Sequence, residues 1–225
     1  MIITIDGPAG AGKSTVARSL ARRLDFDFLD TGATYRAATW RAMEDGVRLD
    51  DPEAVARVAR AVKIEFVQTG DERRVLCDGQ DVTTQIRSPE VTANVRHVAD
   101  EPAARRALIE FQRRYARGRS VVSEGRDQGT EVFPDADVKF YLDASPRTRA
   151  ARRMGDMKRL GIAMSLEKVY ADLVERDKAD RSRPVGRLRQ SDDMIVIDST
   201  DLSVDQVVDR MADAVIRRRT GQKRP

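Results

Sequence analysis

The chain has 225 residues, 40% of them hydrophobic and 35% charged, with aromatics at only 5%. That is enough for one or two domains of roughly 100 to 200 residues each, and the mixture excludes a fibre, a disordered tail and a disulfide miniprotein. The net charge of +4 invites a polyanion reading, but residues 217–225 hold five cations and no acid, and without them the balance is −1; the tail is read as a solubilising end, not a nucleic-acid site.

Short apolar runs alternate with segments of helical period, as expected of a parallel sheet with helices on its faces. In chain order, strands are expected at Ile2 to Ile5, Phe26 to Leu29, Ser120 to Ser123, Val138 to Leu142 and Met194 to Ile197. Helices are marked by Val16, Leu20 and Leu24 at steps of four, and by Ala104, Leu108, Phe111 and Tyr115. Asp51-Pro52, Ser88-Pro89 and Ser145-Pro146 each put a capping side chain before a proline at the first helical position, and Ser203 with Gln206 has capping-box spacing. Lys63 to Val82 breaks the alternation and reads as a hairpin around a Gly70-Asp71 turn, so residues 40–100 are expected to form an inserted lobe. Cys77 stands alone in an apolar run, as a reduced thiol used as a small hydrophobe, which fits the cytoplasm; no apolar run is long enough for a bilayer, and no membrane contact is expected.

Gly7-Pro8-Ala9-Gly10-Ala11-Gly12-Lys13-Ser14, between the first strand and the first helix, is a complete G-x-x-x-x-G-K-[ST] pattern. Its glycines let backbone N–H groups turn toward phosphate oxygens at the positive end of the helix. Lys13 is expected to reach the β- and γ-phosphates, and Ser14 to offer a hydroxyl to Mg²⁺. Such a loop does not say what accepts the phosphoryl group. An Asn-Lys-x-Asp guanine reader is missing, and the third expected strand ends in Glu124-Gly125-Arg126-Asp127 instead of an acidic pair, which leaves room for a second substrate. Arg36, Arg126, Arg176, Arg181 and Arg183 suit a phosphate monoester because a guanidinium donates two parallel hydrogen bonds to one oxyanion. Glu175 to Arg183 also fits a solvated helix of i, i+4 ion pairs, and His97 reads as a helix residue and not a base.

Taken together, Ile3 to Pro8, Asp30-Thr31-Gly32-Ala33-Thr34-Tyr35-Arg36, Glu124 to Asp127 with Gly129 to Pro134, Glu175 to Arg183 and Asp198-Ser199-Thr200 resemble bacterial cytidylate kinases, nucleoside monophosphate kinases of the adenylate kinase type. The resemblance implies a three-layer α/β P-loop kinase fold with a five-stranded parallel sheet. It implies a single domain with its core at 1–39, 101–150 and 185–219, the monophosphate-binding lobe at 40–100, and a short lid with flanking helices at 151–184, without a structural metal. The activity implied is transfer of the γ-phosphoryl group of ATP, carried with Mg²⁺, to CMP or dCMP by a cytoplasmic monomer. Gly7 to Thr15 (Gly7, Pro8, Ala9, Gly10, Ala11, Gly12, Lys13, Ser14, Thr15) would bind ATP; Lys13, Arg126, Arg152, Arg153 and Arg176 would stabilise transferred charge. Thr31, Tyr35, Arg36, Arg105, Arg126, Asp127, Arg176, Asp180 and Arg183 would bind CMP, with Arg105 and Asp127 at the cytosine edge. Two positions depart from the family pattern: Arg96 stands where a base-contacting serine is expected, and Glu124 replaces an aspartate.

Overall fold

The computed structural model describes residues 1–69, 72–159, 161 and 163–221. The elements run β1 (Ile2–Asp6), α1 (Lys13–Leu24), β2 (Asp27–Asp30), α2 (Thr31–Glu44), α3 (Pro52–Ala61), β3 (Ile64–Thr69), β4 (Glu72–Cys77), β5 (Gln80–Asp81), α4 (Pro89–Ala99), α5 (Pro102–Ala116), β6 (Val121–Gly125), β7 (Val138–Asp143), α6 (Pro146–Arg159), α7 (Leu166–Ser182), β8 (Ile195–Asp198) and α8 (Val204–Thr220). Packing divides the chain into two compact units, one of residues 1–29 and 116–225, the other of residues 30–115. The second is wider than the 40–100 lobe expected from the sequence.

In the first unit the sheet order is β2-β6-β1-β7-β8, and β1 pairs in parallel with both β6 and β7. Both faces of such a sheet are covered, so its strands are continuous apolar runs and not alternating ones. Ile3, Ile5, Val122, Phe140 and Leu142 are buried from the strands, Val16 and Leu20 from α1, and Val207, Met211 and Val215 from α8. The start of α8 has the full capping box, Gln206 N–H to Ser203 Oγ and Ser203 N–H to Gln206 Oε1. At its other end, Arg217 to Arg219 lie in the last turn, where cations complement the partial negative charge of the carbonyls. Lys223 and Arg224 lie outside the described residues.

The second unit has its own core. Trp40, Val55, Ile64, Val75, Ile86, Val98 and Leu108 meet in it, and the expected hairpin is a three-stranded antiparallel sheet, β3-β4-β5. The Gly70-Asp71 turn lies outside the described residues. Asp51 and Ser88 cap α3 and α4 through the N–H groups of Ala54 and Val91. Cys77 is buried, its thiol pushed up to about 11 by desolvation, and it behaves as a core hydrophobe. Tyr115 of α5 packs edge-on to Phe66 of β3 at 5.7 Å. Among the described residues no helix is long and apolar enough to cross a membrane.

Candidate active site

The first unit carries the phosphate loop where β1 ends and α1 begins. Gly7 has φ 153°, and a Cβ there would come within 2.0 Å of the Leu142 carbonyl oxygen, so only glycine lets the chain leave β1 beside β7. Lys13 is 6% exposed, and its ammonium is folded back to donate to the Pro8 carbonyl at 2.8 Å. Desolvation, with the nearby Arg126 guanidinium second, pushes this ammonium down to about 7 against the opposing pull of Glu124. Next to it, Ser14 donates from its hydroxyl to Glu124 Oε1 at 2.7 Å. The longer glutamate at 124 therefore reaches the phosphate-loop hydroxyl.

Beneath the loop, Asp6 ties β1 to the segment after β6. It is fully buried and accepts from the Gln128 N–H at 2.8 Å and the Gly129 N–H at 2.7 Å. Burial pushes its carboxyl up to about 7 although those two donors and Lys13 favour the charged form. Asp127 immediately precedes these amides, is 4% exposed, and its own carbonyl accepts from the N–H groups of Glu131 and Val132 at 2.8 and 3.1 Å. The short π-helical turn at Gln128–Val132 thus holds Asp127 firmly at the carboxyl end of β6.

Helix α7 brings the arginine cluster to order. Asp180 is 1% exposed and bridges two guanidinium groups, Arg126 Nε at 2.7 Å and Arg183 Nη2 at 3.0 Å. Burial would raise this carboxyl; Arg126 and then Arg183 hold it below the usual range. Three residues earlier, on the same face, Asp177 is paired with Arg149 Nη2 at 2.7 Å. Within Glu175 to Arg183, Asp177 is thus buried against Arg149 of α6 and Asp180 against Arg126 and the helix's own Arg183, while the solvated-helix reading holds for exposed neighbours such as Glu175 and Lys178. Arg176 beside them is half-buried.

The two arginines expected in a lid, Arg152 and Arg153, differ. Arg152 donates to the Ser199 carbonyl at 2.6 Å and to the Ser199 hydroxyl at 3.0 Å, with the Ala11 carbonyl at 3.5 Å, so it stands between the phosphate loop and the turn after β8. Arg153 is exposed on α6.

The remaining candidates lie in the second unit. Thr31 is buried at the start of α2, whose first turn is capped by Asp30 accepting from the Ala33 N–H at 3.0 Å. The Arg105 guanidinium lies 5.4 Å from the centre of the Tyr35 ring and donates to the Ala99 carbonyl at 3.1 Å. Arg36 Nη1 donates to Thr92 Oγ1 at 2.7 Å. Arg96 is exposed one turn beyond Thr92 on α4, and His97 follows it half-buried.

Sequence reasoning passed over Arg149, Asp177 and the anchoring role of Asp6. Arg149 shares the first turn of α6 with Arg147, so its place on the helix does not single it out.

A family model described as cytidylate kinase matches residues 3–217. A cytidylate kinase of Rhodopirellula baltica is 49% identical over 207 residues, covering 92% of this chain and 89% of that one. One from Desulfitobacterium hafniense is 46% identical, covering 93% and 90%. A bifunctional pantoate ligase/cytidylate kinase of a Synechococcus strain is 45% identical over 99% of this chain, which spans 45% of that longer protein. Among solved structures, an uncharacterized protein from Eubacterium ventriosum superposes with a TM-score of 0.52 at 15% identity, covering 96% of this chain and 98% of that chain, which speaks to the fold alone.

Proposed function

The chain belongs to the cytidylate kinase family, and from that premise we propose how its residues carry out the ATP-dependent phosphorylation of CMP and dCMP to CDP and dCDP, with ADP as the other product. The observation that carries the reading is one constellation in the first unit: buried Lys13 in the phosphate loop, Ser14 on buried Glu124, and half-buried Arg126 on buried Asp180.

Phosphoryl transfer asks little covalent chemistry of a protein; positioning and charge stabilisation supply most of the rate. The loop from Gly7 to Thr15 holds the donor phosphates. Lys13 is kept unsolvated without them, so arriving phosphate oxygens replace the Pro8 carbonyl and bring its ammonium to full charge. Arg126 keeps its Nε on Asp180 and has donors over for the transferred group, and Arg176 joins it. Ser14 and Glu124, 2.7 Å apart, are the hard oxygen donors that Mg²⁺ takes together with water and phosphate. Mg²⁺ held there supplies neutralisation of the donor's charge when bound.

On the acceptor side, Thr31, Tyr35, Arg36 and Arg183 contact the monophosphate and its sugar, and Arg105 and Asp127 read cytosine. A carboxylate accepts from the exocyclic amino group, whereas uracil sets a carbonyl oxygen against it. Action as a cytoplasmic monomer completes the proposal; the free, buried Cys77 fits a reducing compartment.

The base contact is tested by Asp127→Ala. A lost charge-assisted hydrogen bond is expected to raise the KM for CMP by about 10- to 100-fold and to narrow the preference for CMP over UMP. Steady-state kinetics with both nucleotides check this, and unchanged CMP kinetics would remove Asp127 from the site.

A further inference from the structure

Arg149 makes no use of its charge at the surface: its side chain is 3% exposed and lies inside the phosphate-loop unit. Its Nε donates to the Ala144 carbonyl at 2.9 Å, at the end of β7. Its Nη1 donates to the Ala9 carbonyl of the phosphate loop at 3.0 Å, and its Nη2 meets Asp177 Oδ2 on α7 at 2.7 Å. The loop is pressed against it as well. Gly10, at φ 77°, would place a Cβ 3.1 Å from both Arg149 Cβ and the Arg149 carbonyl oxygen, so the loop follows this residue's backbone. A small apolar seat of Ala9, Ala150, Val169 and Leu173 surrounds the contact.

We propose that Arg149 is a positioning residue for phosphoryl transfer, joining the phosphate loop to α7 through Asp177 and so fixing where the arginines on and beside α7 stand relative to the donor phosphates. The inference rests on the kinase reading above and deepens it. A buried ion pair is a poor source of stability, since apolar residues of the same volume do as well or better. What it provides is one geometry. Asp177 and Asp180 lie on one face of α7, so the helix is pinned at two points: Asp177 to the donor loop by way of Arg149, and Asp180 to Arg126, which points the acceptor-side guanidinium. All three acceptors of Arg149 belong to the protein, so it acts through Ala9 and Asp177.

The test is steady-state kinetics of Arg149→Lys, Arg149→Met, Asp177→Asn and the Arg149→Met/Asp177→Asn double variant with ATP, Mg²⁺ and CMP, each assayed well below its own melting temperature. Arg149→Met is expected to lower kcat about 100-fold, the cost of a misplacement near 1 Å, while the KM values for ATP and CMP move less than about threefold. Asp177→Asn is expected to lower kcat in the same direction, and the double variant to be no slower than Arg149→Met, because the two residues act as one unit. Arg149→Lys, which keeps the charge and one reach, is expected to recover part of the loss. A merely structural role would lower the melting temperature and leave the kcat of the folded enzyme at the wild-type value, and that result would overturn the inference. If Arg149→Met does not fold, wild-type kcat in Asp177→Asn overturns it equally. No turnover of CMP by the wild-type chain overturns the kinase reading and this inference with it, whereas wild-type turnover with undiminished variants overturns the inference alone.

Discussion

Lys13→Met is expected to lower kcat for CMP phosphorylation by about 100- to 1,000-fold, the range for deleting one preorganised donor from a site that stabilises developing charge. The same variant should abolish a pH effect. In the nucleotide-free protein the buried Lys13 ammonium is pushed down to about 7 by desolvation, so at pH 8 it is mostly neutral, and phosphate oxygens drawn up to it restore the proton. The sign follows directly: nucleotide binding takes up protons above pH 7, and affinity for ATP weakens as pH rises from 7 toward 10. Calorimetric titration of ATP at pH 8 in buffers of different ionisation enthalpy reads that uptake. Asp6, pushed up to about 7 under the loop, is itself held down by Lys13, so the comparison is made in an Asp6→Asn background, where the difference with and without Lys13→Met reports Lys13. Equal uptake in the two would show that Lys13 does not gain its charge from the nucleotide.

Arg126→Met should be damaging twice over. Removing one member of a buried pair leaves the other charged without its partner, at about 3 to 5 kcal/mol. The lower end applies because Arg183 still lies 3.0 Å from Asp180, and for a chain of this size about 3 kcal/mol corresponds to a melting temperature lower by about 6 to 12 °C. With the proposed role of Arg126 at the transferred group, its loss adds an expected kcat decrease of about 1,000-fold or more. Thermal melting and kinetics below the melting transition separate the two effects. Near-native kcat in the folded variant would place Arg126 outside the reacting centre.

The phosphate loop was legible in the sequence because its function depends on local backbone freedom and one cation, both of which spacing records. The parallel strands were legible as apolar runs, but their ends were not: β6 continues through Glu124 and Gly125 because these pair with Ile5 and Asp6, and hydropathy does not register a polar residue that has found a ladder partner. The capping prolines gave the starts of α3, α4 and α6, and the capping box the start of α8, to within a residue. Helix α7 shows the limit. Buried Asp177 and Asp180 have the same spacing as residues of a solvated charged helix, and what distinguishes them is Arg149 on α6 and Arg126 after β6, brought up by the fold and not by the helix's own pattern. Arg149 was hidden for the same reason, as one arginine among several in a cationic segment.

The residue assignments on the acceptor side meet their most direct test in ADP formation from ATP with CMP, dCMP, UMP, AMP, GMP and shikimate offered separately, with and without Mg²⁺. Mg²⁺-dependent turnover confined largely to CMP and dCMP is the expected result, and comparable turnover of UMP or AMP would contradict cytosine recognition by Arg105 and Asp127.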